Sequence, residues 1–449
     1  MPLTRDLAQF CATLRHQDLP ADALPFVRTA FTDTFATLVA GRFTDEARLL
    51  REVLQPAPGE CRLLVDLGSA RPHEAACLNA TAAHALDYDD AAQRGHISVV
   101  LVPAILAEAE ALGLDGARMV TAYAAGYETW AELMRREADH YHNRSWHPTG
   151  VFGPIAVAAA CASLRGLGAE QAVHALGIAA SQAGGLIANF GSMTKPFHAG
   201  RASQSGLLAT RLAQKGFTAT PDVLEHPKGW LRGISPAGRI DAESPVEAGR
   251  DWKLPVGGVN VKKYPLCFAT HRALDGLLAL LQEHPLAPEQ VRRITVTISR
   301  RNQSTLRFAR PQDSLQAKFS MQFAMASALL ARRSGLPELR DDFVRRPDVQ
   351  QAMELVQVLP EDREDPRRPG EAPQDVVQVE TTDGRTLVRA VDYVRGGPEL
   401  PLAEGELYAK FEGCLAAGQL SAPPRPLYDA LMRIDALPGT DALYALARS

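Results

Sequence analysis

Paired cysteines are missing from this 449-residue sequence. Its six cysteines, Cys11, Cys61, Cys77, Cys161, Cys267 and Cys414, are scattered with no Cys-x-x-Cys spacing. That argues against a zinc or iron–sulfur motif and against a disulfide framework, and it suits a reducing cytoplasm. Long apolar runs are missing too. The Ala-rich segments are broken by Gly, Pro, Gln and His, so no stretch has the length a membrane span needs. In the amino-terminal MPLTRDLAQFCATLR, charge interrupts any apolar run, and no secretory signal is expected. Nor is there an excess of one charge: 48 Lys and Arg against 52 Asp and Glu give a net charge of -4. Such a chain has no general reason to bind nucleic acid or an anionic membrane. If the substrate is an anion, its cations must be gathered locally. No internal repeat or low-complexity segment interrupts the pattern.

What is present is an ordinary globular composition, 46% hydrophobic and 22% charged, in a chain longer than one hydrophobic core usually supports. Two domains are therefore expected. The first 250 or so residues read as helices, with apolar residues at helical spacing over Leu101–Leu112, Met119–Met134, Ile155–Leu164 and Ala169–Ala183. Pro103 and Pro154 fit first-turn positions, and Gly113 and Gly166 fit helix ends. After about Lys262 the character changes. Arg293–Ser299 alternates like a half-buried strand, and Val376–Val391 reads as a hairpin around Asp383-Gly384. A helix near Met321–Arg333 and an exposed loop over 360–375 lie between them. Residues 403–417 and 424–434 look helical again. The predicted layout is mainly α with an inserted α+β domain: a helical bundle from 1–261 and 396–449, and a smaller α+β lid from 262–395.

Four segments place polar residues among apolar, glycine-bearing surroundings. The first is His84-Ala-Leu-Asp87-Tyr88-Asp89-Asp90, followed by Arg94-Gly95-His96. Three carboxylates in four positions repel one another unless solvated, hydrogen-bonded or matched by cations. A solvated helix end explains them on spacing alone. His96, however, directly precedes an apolar helix, whose N-terminus faces its donors toward anions. The second is Trp146-His147-Pro148-Thr149-Gly150; for His147 a catalytic and a structural role both stay open. Upstream, His140 and His142 lack a matching metal-ligand spacing and read as a surface loop. The third, Asn189 to Gly200, contains Thr194-Lys195-Pro196, where Pro196 is expected to push Lys195 out of helical geometry onto a loop, as a carboxylate clamp or as a solvent-facing lysine. The fourth is Lys262-Lys263-Tyr264-Pro265-Leu266-Cys267 with His271 after it, at the expected domain boundary.

Together and in this order these segments resemble the MmgE/PrpD family, which includes 2-methylcitrate dehydratase, cis-aconitate decarboxylase and iminodisuccinate epimerase. The similarity is carried by ALDYDD with RGH, WHPTGVFGP, GSMTKPFHAG, KKYPLCFATH and AKFSMQFAMASALL. It implies a large helical domain, a smaller α+β lid, a homodimer and no cofactor or metal. It implies Asp87, His96, His147, Lys195 and Lys262 as catalytic residues. The histidines would be the acid/base pair, the lysines the carboxylate ligands, and Asp87 would orient a histidine or bind a hydroxyl. Arg94, Asp90, Thr194, Lys263, Cys267, His271 and Phe323 would be substrate-binding. Where the decarboxylase branch carries a histidine and a tyrosine, this chain has Cys267 and Phe323; the surroundings of Cys267 and the RGH element resemble the epimerase branch. The resemblance implies a hydro-lyase acting on a 2-methylcitrate-like hydroxy-polycarboxylate. The alternatives are an epimerase or isomerase of a small dicarboxylate, and a family member that binds a carboxylate without catalysis.

Overall fold

The computed structural model describes residues 2–368 and 370–448; Met1, Ser449 and Pro369, the last in the loop expected over 360–375, lie outside the described residues. The chain is mainly helical and divides into two compact units. One comprises residues up to 85, 89–260 and 404 onward; the other comprises Leu86–Tyr88 and Val261–Ala403. Among the described residues no helix is long and apolar enough to cross a membrane.

In the helical unit the helix Pro72–Ala85 packs along Thr194–Gln214, which also packs against Pro148–Arg165; that helix in turn lies on Gly116–Arg135 and Ile97–Leu112. Small residues permit this. A Cβ on Gly200 would lie 2.0 Å from Thr81 Oγ1 and 2.6 Å from the Cys77 carbonyl oxygen, so the first crossing needs glycine there. The helix Glu404–Ala417 belongs to the same unit, packed on Leu24–Gly41. There Lys410 Nζ meets Asp33 Oδ1 at 2.5 Å, both side chains buried.

Pro103 and Pro154 are not first-turn prolines. Both lie inside helices, which begin six residues earlier, at Ile97 and Pro148. A proline cannot bond the carbonyl four residues back. For Pro154 that carbonyl is Gly150, and it accepts the Gly184 N–H at 3.1 Å instead. The interruption is thus compensated from outside the helix.

The second unit is a four-stranded mixed sheet with helices. Its order is Val356–Glu361, Val291–Ser299, Asp375–Thr381, Thr386–Val391. Val291–Ser299 pairs in parallel with Val356–Glu361 (Val296 opposite Val358) and antiparallel with Asp375–Thr381 (Val296 opposite Val377). The hairpin around Asp383-Gly384 is present, with Gly384 at φ 89°, a value open to glycine. The strand Val356–Glu361 replaces the start of the expected loop; Pro360 is tolerated because that strand is at the sheet edge, where a missing N–H breaks no ladder. The helices His271–Glu283 and Met321–Ala331 pack on the sheet, burying Leu274, Leu277, Val296, Ile298, Phe323 and Val379.

Candidate active site

In the helical unit the ends of four helices bring together a cluster of imidazoles and one ammonium. His84 is in the last turn of Pro72–Ala85, His96 caps Ile97–Leu112, and His147 caps Pro148–Arg165. Lys195 and His198 lie in the first turns of Thr194–Gln214. Lys195 is therefore not on a loop. Pro196 fits an early helical position, where its absent N–H would have had no intrahelical partner. Local contacts hold the caps in place. His96 N–H donates to Thr149 Oγ1 at 3.2 Å, and His147 N–H donates to the Gly185 carbonyl at 2.9 Å. A tight turn leads into His96, with Ala92 and Gly95 exchanging backbone bonds at 2.9 Å and Arg94 at φ 63°. A Cβ on Gly95 would come within 2.5 Å of the Trp130 ring, so that turn requires glycine.

Asp89 is the hub. Its Oδ1 lies 2.8 Å from His84 Nδ1 and its Oδ2 lies 2.9 Å from His96 Nδ1; His96 Nδ1 is also 3.0 Å from the Asp90 carbonyl oxygen. Burial works against the Asp89 charge, but His84 and His96 outweigh it and hold the carboxyl well below its usual range. Burial, joined by the charge of Lys195 and by His96 and opposed by Asp89, pushes His84 down to about 3. The His84 and His96 rings are 4.4 Å apart, and His84 stacks on His147 at 6.0 Å.

His147 and His198 form the second focus, their Nδ1 atoms 3.1 Å apart. Burial and then the Lys195 charge push His147 well below the usual histidine value, and the same two causes push His198 down to about 4. Phe190 closes one side, edge-on to His147 at 4.9 Å, with Lys195 Nζ 5.4 Å from its centroid. At neutral pH these rings are uncharged bases facing a buried cation. Three helix N-termini (at Ile97, Pro148 and Thr194) add partial positive charge. The arrangement suits an anion that is to lose a proton.

In the smaller unit Lys262 and Asp87 are both buried. Lys262 Nζ lies 3.1 Å from Asp87 Oδ1 and donates to its carbonyl oxygen at 2.7 Å. Asp87 thus pairs with a lysine in that unit. Lys263 is half-buried and pairs with Asp275 at 3.3 Å, and Cys267 is half-buried.

Three expected substrate-binding residues are fully buried. Phe323 is fully buried in the core of the smaller unit, 6.3 Å from the Phe343 ring. His271 is buried, its Nε2 3.2 Å from the Leu266 carbonyl oxygen and its ring against Tyr264 and Phe268. Asp90 is buried, accepting from Ser98 Oγ at 2.8 Å. Burial and the neighbouring Asp33 push its carboxyl well up. Arg94 is half-buried, and Thr194 is exposed at its helix start.

His142 is not in a surface loop either. It is fully buried, hydrogen-bonded through Nδ1 to Glu137 Oε2, because Glu137 also gathers Ser235 Oγ at 2.6 Å and the Tyr141 N–H. Glu137, His140 and His142 form a donor set of a kind metals accept, as do His84, Asp89 and His96. In each set a histidine Nδ1 already meets a carboxylate oxygen at hydrogen-bond distance.

His84, Asp89 and His198 were not singled out among the expected site residues. His198 follows Lys195 by three positions, which in a helix puts both on one face; placing Lys195 on a loop hid that signal. His84 and Asp89 lie on either side of a chain reversal that spacing does not reveal.

A cluster of imidazoles beside a buried lysine, on a mainly helical scaffold, is the arrangement the helical unit presents. Comparison with known proteins carries this further. Residues 5–243 match the MmgE/PrpD N-terminal domain and residues 264–421 the MmgE/PrpD C-terminal domain. The chain belongs to the MmgE/PrpD family. It is similar to cis-aconitate decarboxylase of Mus musculus, 29% identical over 76% of this chain and 71% of that protein, and to the Homo sapiens protein of the same name, 29% identical over 76% and 72%. The Aspergillus terreus cis-aconitate decarboxylase is 24% identical over 97% of this chain and 94% of its own.

Proposed function

We propose that this chain is a lyase acting on a small hydroxy-polycarboxylate of the 2-methylcitrate type, removing a proton from the carbon beside a carboxylate and releasing water. The observation that carries the reading is the buried contact between His147 and His198 beside Lys195. A proton α to a carboxylate is very weakly acidic, so a base must act together with a cation that meets the growing charge. His147 takes the proton. Lys195 faces the carboxylate on which negative charge develops. His96 gives a proton to the departing hydroxyl, which leaves as water, with the ionised Asp89 as its counter-charge. These steps use side chains alone. We further propose a homodimer, checked by sedimentation.

Decarboxylation is the second reading, favoured by the names of the relatives. It passes through a similar carbanion, formed by loss of carbon dioxide and quenched by a proton. Cys267 and Phe323, standing where the decarboxylase branch has histidine and tyrosine, speak against decarboxylation and leave dehydration and epimerisation open. Proton NMR in heavy water with citrate-, methylcitrate-, malate- and aminodicarboxylate-type acids tests the choice. Loss of water from a hydroxy acid supports the hydro-lyase. Carbon dioxide release from an unsaturated acid, with deuterium entering the product, supports the second reading. An unchanged spectrum for every hydroxy acid contradicts the first.

A further inference from the structure

Asp89 is fully buried and holds two imidazoles at once, one on each carboxylate oxygen. A carboxylate accepts hydrogen bonds and donates none. His84 Nδ1 is hydrogen-bonded to Asp89 Oδ1, and His96 Nδ1, 2.9 Å from Asp89 Oδ2, is hydrogen-bonded to the Asp90 carbonyl oxygen at 3.0 Å, so both rings carry a proton on Nδ1 and leave Nε2 as the remaining reactive nitrogen. For His84 that nitrogen is buried and has no hydrogen-bond partner. A buried polar atom left this way is costly unless it has a role. His84 stacks on His147 on one side and contacts His96 on the other, so it links the two rings assigned to the reaction.

We propose that Asp89 is a positioning residue that fixes the Nδ1–H tautomers of His84 and His96 together, so that His96 presents Nε2 for the proton transfer assigned to it. His96 is the more accessible of the two, its side chain 13% exposed against 0% for His84. Asp89 therefore acts through His96 and does not touch substrate. The catalytic consequence rests on the proposed elimination; the tautomer assignment does not.

The test has two arms. Nitrogen-15 NMR of the whole protein, labelled at histidine, reads the ring tautomers without substrate; His84→Asn and His96→Gln assign the signals. Both rings are expected to carry a proton on Nδ1, and either Nδ1 found without one overturns the proposal. Asp89→Asn keeps the shape but brings an amide that donates on one side, so one ring must flip. With the best substrate of the panel, kcat of Asp89→Asn is expected to fall about 1000-fold or more, as when an Asp–His pair loses its carboxylate. KM should stay within about threefold. Unchanged kcat with unchanged ring tautomers overturns the proposal. Should Asp89→Asn fail to fold, Asp89→Glu takes its place: it keeps the carboxylate, is expected to retain both Nδ1–H tautomers, and overturns the proposal if it loses them. Should no acid turn over while both rings are Nδ1–H, the elimination fails and the assignment stands.

Discussion

His147 Nδ1 and His198 Nδ1 lie 3.1 Å apart in the interior of the helical unit, although the two residues are 51 positions apart in sequence. Two such nitrogens face each other stably only when one is protonated and the other is not. Burial, and then the charge of Lys195 one helical turn before His198, keep both rings from charging. With His198 as the acceptor, the proton of His147 lies on Nδ1 and its Nε2 is left to accept one from substrate.

Replacing His198 by Phe should leave the fold intact but remove that constraint. Turnover is expected to fall about 10²-fold with KM little changed. Steady-state kinetics on the preferred acid checks this, and an unaltered kcat would remove His198 from the machinery.

Lys195→Ala should raise KM as well as lower kcat, since the ammonium binds the carboxylate in the ground state and more strongly as charge develops. It should also let His147 and His198 rise toward the ordinary histidine value, because a repelling charge is gone. Histidine titration by NMR reads that shift, and unaltered kinetics would exclude Lys195 from the site.

Stability should fall on the acid side earlier than carboxylate protonation alone requires. His84 and His198 are depressed to about 3 and about 4 from 6.5, and His147 is depressed as well. Their folded values lie below the unfolded one, so their contribution is complete above about pH 6.5 and is lost as pH falls toward 4. Each such histidine adds at most about 1.4 kcal/mol per pH unit to the slope. Denaturant midpoints from pH 8 to pH 4 should show this, and His198→Phe should flatten it.

Lys410→Met should destabilise the helical unit by about 3–5 kcal/mol at neutral pH, because Asp33 is left buried without its cation. Burial already pushes the Asp33 carboxyl up; without Lys410 it rises further, so the penalty shrinks as pH falls and Asp33 protonates. Adding Asp33→Asn should recover much of the loss. Urea unfolding of the two variants measures both effects.

Much of the architecture was legible because it rests on periodicity. The hairpin about Asp383-Gly384 and the helix from Met321 follow local pattern rules. The starts of the Ile97–Leu112 and Pro148–Arg165 helices were missed because Pro103 and Pro154 mimic first-turn residues, and the compensation of Pro154 by Gly184 is non-local. The site was legible as motifs and not as geometry. His96, His147 and Lys195 come together in the helical unit. Lys262 and Asp87 pair with each other, and Phe323 is core. Asp89 looked like one of three solvated carboxylates; only the fold shows it buried between two imidazoles.

The central claim is that His147 removes the proton beside a substrate carboxylate. Its most direct test is the rate at which that position exchanges into heavy water, followed by proton NMR, in the unaltered enzyme and in His147→Gln. The account predicts deuterium incorporation or elimination by the former, and a loss of about 10²–10⁴-fold in the variant while substrate still binds. Exchange at an undiminished rate in His147→Gln would contradict it.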